Sequence, residues 1–361
     1  MPLKSRPQER NRTINNLTPL PRAKVIHYPI LFLLLGASFL FPISLAKGDD
    51  TQYYIPKGPL ESRNQYPIFL LFYNFTPASA QILPPRQFQL KTGISISNVF
   101  LYHASSPGYD VRMDLEVFRP FLHLHYGVTE RIEVGAEIPF SHLSGGVLDG
   151  FIRLVHNFLG SEKDLRQVAG NYNFIYSFKH NDTDWFSPMR GTFGLGDVAL
   201  TSKFKLFSSD LYLADLSARV ALKLPSGRPQ LSLGSGNWDF AFGLCFDYGL
   251  HERWVTYVNL GGVIVGQPDT TADITVNNYF TGMLALEYLA TEKLSLIIQL
   301  NHNSSLFNTG IRRVDQAGIQ ILGGIKYDFS PRFGIQFDMV EELITYVAPD
   351  VTFNFLLHYN F

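Results

Sequence analysis

The chain has 361 residues, 46% hydrophobic and 14% aromatic, with 17% charged and a formal net charge of −1. So apolar a composition excludes a disordered protein, and the near-zero charge provides no basic field for nucleic acid. The length would hold two ordinary domains or one large β-structure, and the aromatic fraction favours the second.

Lys4, Arg6, Arg10, Arg12, Arg22 and Lys24 form a positive stretch ahead of an apolar run from Ile30 to Phe41, and Ser44-Leu45-Ala46 offers small residues for cleavage. The run is bounded by Pro29 and Pro42 and falls short of the ~18 residues of a spanning helix. Residues 1–46 therefore read as a secretory signal peptide, and residues 47–86 as a periplasmic N-terminal segment. Cys245 is the single cysteine. A secreted soluble protein would often carry disulfides, and a lipoprotein would need a cysteine where Lys47 stands.

From Gln87 the pattern changes to strict alternation: Phe88, Leu90, Ile94 and Ile96 share one face, with Gln87, Gln89, Lys91, Ser95 and Ser97 on the other. The period of two recurs at Val111 to Val117, Ile132 to Phe140, Val198 to Leu206, Ala214 to Leu222 and Trp238 to Tyr248. It returns at Leu284 to Tyr288, Leu294 to Leu300, Ala317 to Tyr327 and Phe333 to Met339. Each run is about the ~9 to 11 residues that a tilted strand needs to cross a bilayer. A soluble secreted β-sandwich is the alternative, but Trp238, Phe240, Phe242, Phe246 and Tyr248 would crowd one face of one strand, a face better suited to lipid.

The connections sort into two sets. Four short turns run from a tyrosine to a cation five residues later: Y-G-V-T-E-R at 126–131, Y-G-L-H-E-R at 248–253, Y-L-A-T-E-K at 288–293 and Y-D-F-S-P-R at 327–332. F-S-S-D at 207–210 makes a fifth. Between them lie longer connections at 100–110, 142–193, 224–236, 267–277, 303–314 and 342–349. Five short turns join ten strands, and the strands near Gln87 and Val351 bring the count to twelve, with fourteen the alternative. The prediction is an all-β transmembrane antiparallel β-barrel over residues 87–361, its even strand count matching bacterial outer-membrane barrels and its tyrosines marking an aromatic girdle.

One connection is exceptional. Residues 144–160, S-G-G-V-L-D-G-F-I-R-L-V-H-N-F-L-G, place Leu148, Ile152, Val155 and Leu159 on one side of a helix and Asp149, Arg153 and His156 on the other. The insert 142–193 is thus expected to carry a helix over 145–160 in the second long loop, folded into the barrel mouth, because an exposed Leu/Ile/Val stripe would be an unburied patch. Folded outward instead, it would be a lid capped by Tyr172, Phe174, Tyr176 and Trp185.

Several phrases carry a family resemblance: "SRNQYP" at 62–67, "GVTERIEVGAEIPF" at 127–140, "GGVLDGFIRLVHNFLG" at 145–160, "FGLGDVALTSKFKL" at 193–206 and "LKLPSGRPQLSLGSGNWDFAFGL" at 222–244. Together they resemble the domain of unknown function 3187 (DUF3187) family of uncharacterised Gram-negative proteins. The resemblance implies an outer-membrane-type barrel exported to the Gram-negative outer membrane, and supplies no activity or catalytic residues. The last strand, with Phe355, Leu357, Tyr359 and Phe361 alternating to an aromatic terminus, resembles the assembly signal of outer-membrane barrels. That likeness implies two partners, the barrel assembly machinery and outer-membrane lipid.

Candidate chemistry is sparse. G-T-F-G-L-G at 191–196 and G-G-V-I-V-G at 261–266 lead into or lie inside strands, so neither offers phosphate a helix N-terminus. His123 and His125 share a strand face without a completing metal ligand. His142 with Ser141 or Ser144, and His302 with Ser304, could serve an outer-membrane lipid hydrolase, but no motif surrounds them. No cofactor, metal or catalytic residue is assigned, and the expectation is a non-enzyme.

The predicted lumen lining includes Arg112, Asp114, Glu116, Glu133, Glu137, Lys203, Asp215 and Arg219, followed by Lys205, Lys223, Asp239, Asp247, Gln299, Gln320, Lys326, Gln336 and Asp338. Both signs are mixed there, which suits either a weakly selective passage or a network of ion pairs. The expected function is a pore for a small molecule, constricted by Asp149, Arg153 and His156. A structural or surface-interaction barrel is the second reading, and a lipid-modifying enzyme the third.

Overall fold

A computed structural model describes residues 55–146, 173–209, 214–268, 272–343 and 348–361. Three long strands come first, β1 (Phe88–Ser106), β2 (Tyr109–Thr129) and β3 (Ile132–Ser144), followed by three short ones, β4 (Ile175–His180), β5 (Thr183–Asp184) and β6 (Phe193–Leu195). Then come β7 (Ala199–Ser209), β8 (Ala214–Lys223), β9 (Asp239–His251), β10 (Trp254–Ile264) and β11 (Tyr279–Leu289). The chain ends with β12 (Leu294–Asn303), β13 (Gly318–Ser330), β14 (Phe333–Glu342) and β15 (Val351–Asn360). Twelve of these, all but β4, β5 and β6, pair antiparallel in a closed ring. The ring closes where β1 meets β15 in unbroken register from Gln89 opposite Asn360 to Asn98 opposite Val351. Closure leaves no edge, the condition for strands to span lipid.

Alternation decides which side chains meet lipid. Phe240, Phe242, Leu244 and Phe246 of β9 point outward and are exposed, as are Phe355, Leu357, Tyr359 and Phe361 at the end of the chain. Near the short turns the aromatics cluster: Trp254 lies 4.7 Å from Tyr288, Tyr327 4.9 Å from Phe329 and Tyr359 4.8 Å from Phe361, centroid to centroid.

The expected connection at 100–110 is a strand hairpin instead. β1 and β2 stay paired up to Ser106 opposite Tyr109 and turn over Pro107–Gly108, where Gly108 takes a φ of 86°. Beyond the barrel wall β2 gains β4 as a neighbour over Tyr109–Asp114. This extension also reverses the expected facing. Arg119, His123 and the other odd positions of β2 point inward, so Val111, Met113, Leu115 and Val117 do too, and all four are buried. The even positions Arg112, Asp114 and Glu116 therefore do not line the lumen. Arg112 is exposed beside Asp110 at 3.4 Å, Asp114 accepts from Asn173, and the space beside Gly146 is filled by the Glu116 carboxylate.

A second difference concerns the N-terminal segment. Residues 47–86 are expected in the periplasm, yet from Pro56 to Leu83 the chain runs inside the barrel. Six prolines between 56 and 85 deny it the N–H groups of a regular strand, and it stays extended apart from one 3-10 turn at Phe69–Leu71. Its apolar stretch, Tyr66 to Phe75, finds no cover in solution and is buried instead. The helix expected over 145–160, with Asp149, Arg153 and His156, lies from Val147 onward outside the described residues.

Candidate functional site

The lumen wall holds the N-terminal segment by its backbone. On the ascending leg, Lys57 N–H donates to Glu287 at 2.9 Å, and Leu60 exchanges two hydrogen bonds with the Gln299 amide at 2.9 and 3.1 Å. Glu61 N–H then donates to Gln336 at 3.1 Å, and the Asn301 amide donates to the Ser62 carbonyl at 2.8 Å. After the apex at Phe69–Leu71 the chain descends. Tyr73 N–H donates to Asp239 at 2.7 Å and its carbonyl accepts from the Tyr279 hydroxyl. Ala78 exchanges two bonds with the Asn259 amide at 2.8 and 2.9 Å. Ala80 N–H reaches Asp247 at 2.9 Å and Leu83 N–H reaches Glu133 at 2.9 Å, after which the chain turns into β1. Side chains of the wall thus do for this peptide what a neighbouring strand does in a sheet, pairing much of its buried backbone without a ladder. Residues 56–83 form a two-legged plug whose ends both lie at the short-turn end.

Charges reinforce the seating. Lys57 pairs with Asp328 at 3.0 Å, Glu61 with Lys91 at 2.6 Å and Arg63 with Glu137 at 3.1 Å, while Arg63 also joins the two legs by donating to the Asn74 carbonyl at 2.6 Å. The apex is latched by Lys223. Its ammonium contacts Asp197 at 2.7 Å, Asp239 at 3.2 Å and the Ser235 hydroxyl at 2.6 Å, and donates to the Leu71 carbonyl at 2.9 Å. Asp197 also accepts from the N–H groups of Gly227 and Ser235. The phrases G-L-G-D at 194–197 and L-P-S-G at 224–227 thereby acquire a role: they bring a buried carboxylate and a folded loop onto one lysine.

Wall glycines make room for the plug. A methyl group on Gly261 would lie 2.7 Å from Phe75 Cδ2, and one on Gly243 would lie 3.2 Å from the same ring. At the foot, a methyl group on Gly127 would meet the Pro84 carbonyl oxygen at 2.1 Å. Gly261→Val is expected to displace Phe75 and cost ~1–3 kcal/mol, the usual range for overpacking. Limited proteolysis of the folded barrel should then cut within residues 56–83 faster than in wild type, and an unchanged rate would show that Phe75 is not held by that glycine.

The two ends of the lumen differ. At the long-loop end the apex packs into an apolar cap: Phe178 stands 5.1 Å from Trp185 and 5.3 Å from Phe307, and Phe72 lies 6.4 Å from Trp185. Tyr176 and Trp185 are buried there rather than spread over an outward lid. At the short-turn end a cavity of about 290 Å³ opens between plug and wall, bordered by His123, His125, Glu133, Lys203 and Arg219 among others.

The profile of the family described as "Protein of unknown function (DUF3187)" matches residues 41–361. The chain belongs to that family. Comparison with curated proteins finds no match. Among solved structures, the COG4313 outer membrane channel from Pseudomonas putida F1 is similar with a TM-score of 0.56 at 18% identity, covering 80% of this chain and 100% of the other. That likeness shows the barrel fold. The NanC porin is more distant, with a TM-score of 0.42 at 7% identity, covering 75% of this chain and 98% of its own.

In this DUF3187 chain Glu133, Glu137, Lys203 and Arg219, all predicted as lining, contact the plug. Glu133 and Glu137 are buried and hold the plug, Arg219 donates to the Thr76 carbonyl at 2.7 Å, and Lys203 reaches the Ser79 carbonyl at 3.3 Å. Asp215 sits half-buried opposite Asp247, across from β9. His123 and His125 lie on one face with their rings 6.5 Å apart, and His125 bonds Glu133 at 3.2 Å. No cluster of three metal-ligating side chains exists among the described residues. Ser304 accepts from Phe280 N–H at 2.9 Å, and neither His142 nor His302 bonds a serine among the described residues.

Proposed function

We propose that this protein is an outer-membrane channel for small solutes, kept closed by its own N-terminal segment. Export by a signal peptide in residues 1–46 would put the short-turn end in the periplasm, and the aromatic C-terminal strand would serve the assembly machinery. One observation carries the reading. The backbone of both plug legs is bound by polar wall side chains through hydrogen bonds and ion pairs that water can replace, while apolar packing is concentrated around Leu60 and at the apex.

The reading is tested by locking the plug. Ser79 and Asp247 touch through their side chains, so Ser79→Cys with Asp247→Cys, in a Cys245→Ser background, can be joined by oxidation. Proteoliposomes carrying the reduced pair are expected to take up small sugars and amino acids, and oxidation is expected to stop uptake until reductant is added. Uptake absent in both states, or indifferent to oxidation, would favour the structural barrel.

A further inference from the structure

The cavity at the short-turn end has the features of a built site. Among the described residues nine buried side-chain atoms have no hydrogen-bond partner, and three of them, His123 Nε2, Arg219 Nε and Thr76 Oγ1, belong to residues that border this one cavity. The three residues are 4%, 9% and 8% exposed. Unpaired polar atoms at such burial are rare and costly, so three gathered around one cavity, two from the wall and one from the plug, point to a ligand that pairs with them.

The charges say which ligand. Each carboxylate bordering the cavity already has a cation: Glu61 has Lys91 at 2.6 Å, Glu133 has Lys203 at 3.5 Å, and Glu137 has Arg63 at 3.1 Å. Arg219 has no carboxylate within 4.0 Å among the described residues. Its guanidinium is fixed nonetheless, stacked 4.1 Å over the Phe75 ring and donating to the Thr76 carbonyl at 2.7 Å. A rigid guanidinium with a free Nε–H is matched by a planar carboxylate. The rest of the lining is partly apolar, with Phe75, Ile82 and Val220, and the volume of about 290 Å³ admits a small organic body.

We propose that this cavity binds a small organic carboxylate, with Arg219 holding the carboxylate and Thr76 and His123 pairing with its remaining polar groups. Thr76 and Phe75 belong to the plug, whereas Arg219 and His123 belong to the wall. The site is therefore complete only while the plug is seated, and the ligand favours the closed state. The proposal rests on the channel reading only in taking this ligand as a transported or regulating solute.

The test is isothermal titration of the full chain in detergent with sodium benzoate, and separately with inorganic phosphate. Benzoate is expected to bind saturably, and Thr76→Val and His123→Phe, which remove the unpaired polar atoms while keeping a branched and an aromatic side chain, to weaken it by ~10-fold each. A chain lacking residues 56–83 should bind none. Absence of saturable benzoate binding, affinity unchanged in both variants, or phosphate binding tighter than benzoate would overturn the proposal. Binding is read without conductance: a barrel that binds benzoate but never passes solute would sink the channel reading alone, and one that passes solute without binding would sink only this one.

Discussion

Deleting residues 56–83 is expected to raise single-channel conductance in planar bilayers by at least ~10-fold, because twelve strands enclose more space than their own side chains fill. The deletion should leave the barrel intact. All twelve wall strands pair with one another, and the plug adds no rung to the ladder. The polar groups it uncovers include the Gln299, Gln336 and Asn301 amides and the Asp239, Asp247 and Glu133 carboxylates, which water can solvate, and beside Leu60 it uncovers a smaller apolar patch around Tyr257, Met283 and Leu322. At the long-loop end the deletion also removes Phe69, Leu71 and Phe72, the floor of the apolar cap around Phe178 and Trp185. A deleted chain that folds as a barrel yet conducts like wild type would show that the cap, and not the plug, is the barrier.

The second large effect is expected at Lys223. Its side chain is 3% exposed and lies against Asp197 and Asp239, which are 2% and 0% exposed. Lys223→Met leaves two carboxylates buried without their shared cation, which costs ~3–5 kcal/mol. It also strips the Leu71 carbonyl of its donor at the apex of the plug. The variant should unfold at markedly lower urea concentration and expose residues 66–75 to protease before the barrel itself unfolds. Adding Asp197→Asn and Asp239→Asn to Lys223→Met should recover part of the stability without restoring protection of the apex, since the Leu71 bond stays lost. Full protection of the apex in Lys223→Met would remove the latch.

Much of the barrel is legible in the residues one at a time. On β9 the aromatics at 240, 242 and 246 face lipid because successive side chains alternate, and the tyrosine-to-cation turns place one end of the structure. On β2 the same rule misleads. While the strand lies in lipid, apolar even positions such as Leu122 face outward; where it rises beyond the wall, the apolar odd positions Val111 to Val117 face an interior cap, and of the charged even positions Arg112 is exposed while Glu116 is buried beside Gly146 on the other face. Parity is unchanged along the strand, but the apolar side of the environment switches from outside to inside, so Arg112, Asp114 and Glu116 look like lining and are not.

The plug leaves a fainter trace. Y-P-I-F-L-L-F-Y at 66–73 is too apolar for a solvated tail, too short for a spanning helix and not alternating, which marks it as chain in need of cover. What covers it is written nowhere nearby: Leu60 meets Gln299 across 239 positions and Glu61 meets Gln336 across 275. By itself the sequence determined the twelve-strand closure, the lipid face and the two unlike ends, because period and turn length are local properties. Only the tertiary structure decided what occupies the lumen, since an extended, proline-rich peptide has no period of its own and takes its hydrogen bonds from side chains far along the chain.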